Sequence, residues 1–449
     1  MKKTLLRGGR LVDPATRADD RLDLLIVDGK VAERAPNLPA DESTTVLDVA
    51  GLVVCPGFVD MHVHLREPGR EDEETIESGG LAAVHGGVTA MAAMPNTSPA
   101  MDTASWVEFV RTRPCAAAVH PIAAVTVGRE GKVLTEMAEL AAAGAVAFSD
   151  DGSPVASGHV MRMALQYASM VGRPIIAHCE DADLARGGAM HEGLASTIAG
   201  LKPSPAAAEE VMVARDVILA RATGARLHIA HVSTGGSVEL VRRAKADGAA
   251  VTCETCPHYL SLTDDDVRTY DTSFKVNPPL RSARDVEALR EGLADGTIDA
   301  VASDHAPHSL EEKQVEFDAA PPGAIGLETT LPVVVTHLVA PGIISLSRAV
   351  EVLSVNPAAI LGVPGGTLEV GAPADVAVFD AERRWKVDEP WFRSRSRNSP
   401  FIGHVLCGRV TMTLRGGEVV FSEPEHDDPG DCEARESDAR ARGGLPVRV

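Results

Sequence analysis

No apolar run in this sequence reaches membrane-spanning length, because polar residues, glycine or proline interrupt every hydrophobic segment; a transmembrane helix is therefore not expected. The opening Met1-Lys2-Lys3-Thr4-Leu5-Leu6-Arg7-Gly8-Gly9 has the basic start of an export signal, but its apolar stretch stops after two leucines, which reads against one. Positive charge is also short: 43 Lys and Arg stand against 64 Asp and Glu, a formal net charge of −21. That deficit argues against nucleic acid or an anionic membrane surface as partner, and an anionic substrate would need a locally basic pocket. Cysteine is sparse, seven residues scattered over the chain, and the odd count reads as reduced thiols in a cytoplasmic protein. Cys253 and Cys256 form a Cys-x-x-Cys, but no second pair lies at zinc-finger spacing, so both are assigned to packing. Nor does any Gly-x-Gly-x-x-Gly follow a first strand, which leaves dinucleotide binding without support.

What is present is enough apolar material, 45% of 449 residues, for one large domain and a small one. The two ends read as short strands with glycine turns. At the front these are Thr4–Arg7, Asp23–Val27 and Thr45–Asp48; at the back they are Ala374–Phe379 and Arg409–Leu414. Neither set buries a stable core alone, so the ends, residues 1–54 and 367–422, are expected to pair into one small discontinuous β domain. Between them, over 55–366, the period changes. Apolar runs at Val88–Met94, Ala145–Phe148, Pro174–Ala177, Arg226–Ala230, Ala249–Thr252 and Ile298–Ala302 alternate with Ala- and Leu-rich stretches at helical spacing. Those stretches include Leu134–Ala143, Val160–Val171, Pro205–Thr223 and Gly235–Ala246. Strand then helix, repeated about eight times, predicts an α/β fold, a (β/α)8 TIM-type barrel. Residues 423–449, of mixed charge, predict a mobile tail.

The barrel reading gives the polar residues a place. After the apolar run Leu52–Cys55 comes Val59-Asp60-Met61-His62-Val63-His64, where strand alternation puts His62 and His64 on one side; Pro68-Gly69 then breaks the strand. Barrels of this kind keep their chemistry at the C-terminal ends of the strands. At the other predicted strand ends stand Asp150 and Asp151, His178, His231, and Asp304 with His305. Alternation says only that one of Asp150 and Asp151 points inward. Imidazole and carboxylate ligands without thiolate suit zinc, manganese, cobalt or iron(II), and four histidines with two carboxylates exceed what one catalytic zinc needs. Two ions about 3.5–4 Å apart would use all six and would make hydroxide available near neutral pH. His305 and Glu180 read as residues that orient ligands, and His258 as pocket lining or packing.

The combination of His62-Val63-His64 with Arg66, Met94-Pro95-Asn96-Thr97, Ser149-Asp150-Asp151-Gly152, His178-Cys179-Glu180, His231-Val232-Ser233, Cys256-Pro257-His258, Asn277-Pro278-Pro279-Leu280-Arg281, Ser303-Asp304-His305-Ala306-Pro307-His308 and Gly326-Leu327-Glu328 resembles the motif set of the amidohydrolase superfamily. Within it, the chain resembles the type I bacterial dihydroorotases from about residue 4 to residue 422. The resemblance implies a Zn2+-dependent cyclic amide hydrolase, with two ions per subunit, that interconverts N-carbamoyl-L-aspartate and L-dihydroorotate in de novo pyrimidine synthesis. It implies that His62, His64 and Asp304 hold the more buried ion, that His178 and His231 hold the other, and that Asp151 bridges them. Asp304 would double as the base that moves the proton from hydroxide to the leaving ring nitrogen. His64, Arg66, Asn96, Asn277, His308 and the backbone at Pro322 and Gly323 would bind substrate, Arg66 because its planar fork matches a carboxylate. Hydantoinases and allantoinases, similar at the superfamily level, bridge their metals with a carbamylated lysine; here no lysine lies between Lys132 and Lys202, so a carboxylate must serve. The polar, then Ala-Ala-Pro-Pro-Gly, stretch between His308 and Gly323 has the composition of a mobile lid. The resemblance further implies a homo-oligomer, a dimer foremost, and association with aspartate transcarbamoylase.

Overall fold

Runs of buried β-branched and small apolar residues, each closed by a polar residue or glycine, set the eight strands of the central sheet. They are β1 (Phe58–Val63), β2 (Val88–Ala93), β3 (Ala118–Ala123), β4 (Ala147–Phe148), β5 (Ile175–Ala177), β6 (Leu227–Ile229), β7 (Val251–Thr255) and β8 (Ala300–Val301). In this computed structural model, which describes residues 2–423, they pair in chain order from β1 to β8, every pairing parallel. The expected tail lies outside the described residues apart from Glu423. The ring closes just beyond β8: Val63 bridges His305 in parallel, and the His64 N–H donates to the His305 carbonyl at 2.9 Å. The fold is thus the (β/α)8 barrel that the alternation predicts.

Period-two alternation divides β1, β2, β3, β4, β5 and β8 between two cores. In β2, Ala90 and Ala92 pack with Val59, Met61, Ile122, Ile176 and Ala302, while Met91 and Ala93 pack with the apolar faces of the helices. Helix boundaries follow local chemistry. Ile76–His85, which follows β1, starts at Thr75, whose side chain accepts from the Ser78 N–H while Ser78 returns the bond. Only β3 has an apolar run broken by both a histidine and a proline, His120 and Pro121, and it is the barrel strand least visible to pattern reading.

The ends of the chain build two further sheets. One has four strands in the order Lys30–Ala35, Asp23–Val27, Lys3–Arg7, Thr44–Asp48. The other has six, in the order Glu418–Ser422, Val405–Arg415, Val376–Lys386, Val53–Pro56, Arg10–Asp13, Ala18–Arg21, and so interleaves both termini. Leu6, Leu11, Leu24, Ile26, Val54, Val376 and Leu414 join the two sheets in one core. The apolar run before the paired histidines does not simply extend into their strand: Val53–Pro56 belongs to the six-stranded sheet, and the chain crosses into the barrel at Gly57. A Cβ there would sit 2.2 Å from Thr89 Oγ1, so only glycine fits the crossing. Among the described residues, no helix is long and apolar enough to cross a membrane.

Candidate metal centre

Asp151 occupies the middle of the C-terminal mouth of the barrel. Its Oδ1 lies 3.4 Å from His62 Nε2, 3.5 Å from His178 Nδ1 and 3.4 Å from His231 Nε2; its Oδ2 lies 3.6 Å from His64 Nε2. Asp304 faces the first two histidines, its Oδ1 3.5 Å from His62 Nε2 and 3.2 Å from His64 Nε2. All six residues are buried. The strand-to-loop turns that aim them are tight: His231 and Asp304 hold φ +36° and +47°, and Arg66 holds +60°. Non-glycine residues in this region cost energy and collect at functional sites.

Neighbouring side chains fix the orientation of each group. His62 Nδ1 sits 2.8 Å from Glu254 Oε1, at the end of β7, and Glu254 Oε2 sits 3.3 Å from His228 Nε2. Burial pushes the Glu254 carboxyl up, but the bonds from His228 and His62 prevail and hold it at about 2. His64 Nδ1 is 2.7 Å from Asn96 Oδ1, and Asn96 Nδ2 donates to Asp151 Oδ2 at 3.3 Å. Arg129 Nη2 donates to the Asp151 carbonyl at 2.6 Å. Asp150 turns the other way: its Oδ1 accepts from the Val125 N–H at 2.8 Å and the Thr126 N–H at 3.1 Å, and Thr126 Oγ1 donates to Oδ2. Burial opposes charge on Asp151 and Asp304, yet attraction from His62 and bonds from the other imidazoles keep both carboxyls well below the usual range.

This donor set fits a divalent cation. His62 Nε2 is wholly buried and has no hydrogen-bond partner, which is costly unless something else binds it. Donor atoms of His62, His64 and Asp304, and likewise of His62, Asp151 and His231, lie within 4.8 Å of one another. Cys256, His258 and Asp304 form another such group beside them; His258 Nε2 is buried without a partner, and burial lowers the imidazole to about 4. Cys253 packs in the core, as its spacing suggested. His305 points away, with Nε2 3.2 Å from Glu74 and Nδ1 accepting the Gly326 N–H at 3.2 Å.

The expected substrate residues divide into two groups. Arg66 and His308 stand together, Nη2 to Nε2 3.4 Å, with Arg66 Nε also donating to the Pro307 carbonyl at 3.1 Å. His308 Nε2 lies 3.0 Å from the Pro322 carbonyl. Asn277 donates to Glu180 at 3.4 Å, and both line a cavity of about 290 Å³ with Lys275 and Pro322. The Gly323 N–H is taken by the Lys275 carbonyl at 2.8 Å; at φ +142°, a Cβ on Gly323 would meet Ala306 Cβ at 2.8 Å. The loop with lid composition is fastened from beneath. Lys313 Nζ donates to the Thr272 and Pro321 carbonyls at 3.0 and 2.8 Å, and Lys275 Nζ to Phe317 and Asp318 at 2.8 and 2.9 Å. Pattern reading missed Glu254, Arg129 and Glu73. Glu254 stands alone between Cys253 and Thr255, Arg129 adjoins Glu130, and Glu73 is one of four acidic residues in a row, so nothing local marks any of them, and only the fold brings each to the mouth.

A Dihydro-orotase-like family model matches residues 51–237, and an Amidohydrolase family model matches residues 208–421. The dihydroorotase of Pelotomaculum thermopropionicum is 53% identical over 423 residues, covering 94% of this chain and 99% of that protein. The dihydroorotase of Syntrophus aciditrophicus is 51% identical over 427 residues, 94% of this chain and 100% of its own length. Among solved structures, the L-hydantoinase (dihydropyrimidinase) of Arthrobacter aurescens superposes with a TM-score of 0.85 at 30% identity, covering 95% of this chain and 97% of that one.

Proposed function

This chain belongs to the dihydroorotase family of the amidohydrolases and carries its activity, the reversible cyclisation of N-carbamoyl-L-aspartate to L-dihydroorotate, and from that premise we propose how its residues perform it. His62, His64 and Asp304 would hold one Zn2+ and His178 and His231 a second, with Asp151 in reach of both sets. When bound, such ions make a nucleophilic water available at neutral pH and polarise the amide carbonyl under attack. Asp304, ionised because His62 and His64 face it, takes the proton of the attacking water and delivers it to the leaving ring nitrogen. In the closing direction the same carboxylate removes the proton from the carbamoyl nitrogen as it attacks the substrate's side-chain carboxylate carbon, and returns it to the departing oxygen, which leaves as water. Arg66 and His308 grip the carboxylate of the substrate, Arg66 as the cation and His308 as a neighbouring hydrogen-bonding group. Asn96 keeps His64 and Asp151 in register, and Asn277 and Pro322 border the ring. The product would feed pyrimidine synthesis.

One observation carries this reading: a single carboxylate oxygen of Asp151 lies within 3.5 Å of three imidazole nitrogens from three strands. Metal analysis of the purified protein, combined with ring closure of carbamoyl aspartate at mildly acidic pH, tests it. Turnover that tracks zinc content is expected; folded, metal-loaded protein without turnover would overturn it. The structural likeness to a hydantoinase gives the alternative, a cyclic amide without a carboxylate, and preference for hydantoin or dihydrouracil over dihydroorotate would favour that reading.

A further inference from the structure

Arg66 and His308 reach the mouth from opposite ends of the barrel sequence, one just after β1 and the other just after β8, and long polar side chains do not hold one pose unaided. The group between them is Glu73. Its side chain is 1% exposed, its Oε2 lies 3.1 Å from Arg66 Nε, and its Oε1 lies 2.9 Å from His308 Nδ1. Oε1 also accepts from Arg70 Nη2 at 3.0 Å. Glu312, on the short loop helix Leu310–Lys313, adds a second carboxylate 3.1 Å from His308 Nδ1, and Arg70 also donates to Glu312.

We propose that Glu73 is the positioning residue for recognition of the substrate carboxylate, the buried carboxylate that clamps Arg66 and His308 into one anion-binding fork and ties that fork to the seating of the loop helix Leu310–Lys313. This deepens the function proposed above and rests on its assignment of Arg66 and His308. The physical case is one of pairing. Arg66 is ion-paired through Nε, and His308 is bonded through Nδ1, to the same buried carboxylate, which leaves the outer nitrogens of both directed elsewhere, and two contacts restrict a side chain more than one does. With Nδ1 facing two carboxylates, His308 must donate from that nitrogen, so the ring orientation is fixed from behind. The same arrangement supplies selectivity. The fork matters to a ring bearing a carboxylate and is irrelevant to one without it.

Glu73→Gln keeps the size and one acceptor oxygen but removes the charge. The expected result is a KM for dihydroorotate raised about tenfold, with kcat within about threefold and zinc content unchanged, and no change in the residual hydrolysis of dihydrouracil. Because Arg66 and Glu73 act as one unit, the double variant Arg66→Lys with Glu73→Gln should be scarcely worse than Arg66→Lys alone. An unchanged KM, an equal loss on both rings, or simple additivity in the double variant would overturn the proposal. If Glu73→Gln does not fold, Glu312→Gln, at a third-exposed side chain, carries the test: a smaller rise in KM for dihydroorotate alone supports the clamp, and none refutes it. A wild-type protein that does not turn over dihydroorotate would instead refute the functional assignment itself.

Discussion

Asp304 sits at φ +47°, a backbone posture uncommon outside glycine, with one oxygen shared between two imidazoles. The proposed role as proton carrier makes Asp304→Asn informative: the amide keeps the shape but cannot accept the proton. Turnover should fall by about 10²–10⁴ while the circular dichroism spectrum and melting temperature stay near those of the parent; an active variant would remove Asp304 from proton transfer. The sequence exposes individual residues unevenly. His62, His64, His178 and His231 stand out because each follows an apolar run, and the structure brings all four to one mouth. Asp150 and Asp151 are indistinguishable by alternation, since either could face inward; what separates them is the pair of N–H groups at Val125 and Thr126 that claims Asp150. Glu254 and Glu73 give no local signal at all. Their meaning comes from partners 192 and 235 positions away.

At the scale of the strand, β7 contributes no expected ligand, yet its Glu254 sits behind His62 and fixes which ring nitrogen faces the centre. Partners behind a ligand typically govern metal affinity by about 10–100-fold, so Glu254→Gln should lose zinc to a competing chelator at correspondingly lower concentration, with activity restored by excess zinc. Retention equal to the parent would mean that His62 is held by packing alone. Elements were legible where one period ran unbroken, as in β2, β5 and the helix Gly158–Met170, whose buried Met161, Ala164, Leu165 and Ala168 fall at helical spacing. They were not where function or geometry interrupts the pattern: β3 is broken by His120 and Pro121, and Val53–Pro56 joins another sheet because the turn at Gly57 leaves no apolar gap to announce it.

For the molecule as a whole, the centre couples protonation to stability. Burial disfavours charge on His178, but Asp151 and Glu180 outweigh it and raise the metal-free imidazole to about 10. An unfolded histidine titrates near 6.5, so this pairing stabilises the metal-free fold fully below about pH 6.5, and its contribution fades as pH climbs toward 10. Metal ions bind the deprotonated ring and gain as protons leave. The difference in Tm between zinc-loaded and chelated protein should therefore widen from pH 6.5 to pH 9 in scanning calorimetry; a constant gap would contradict the linkage. The global fold was readable because eight alternations of period leave few other topologies. The pairing of the two chain ends was readable because neither could bury a core, but their division into a four- and a six-stranded sheet depends on Val53–Pro56 pairing with Val376–Phe379, more than three hundred positions away.

The ring of strands is sealed by the bridge between Val63 and His305, and the donor group His62, His64 and Asp304 straddles that seal. A nascent chain emerging from the ribosome thus carries two of these three donors early and lacks the third until the last strand is out. On the proposed assignment, capture of a cation by this group waits for Asp304 and would rivet the first and final staves together.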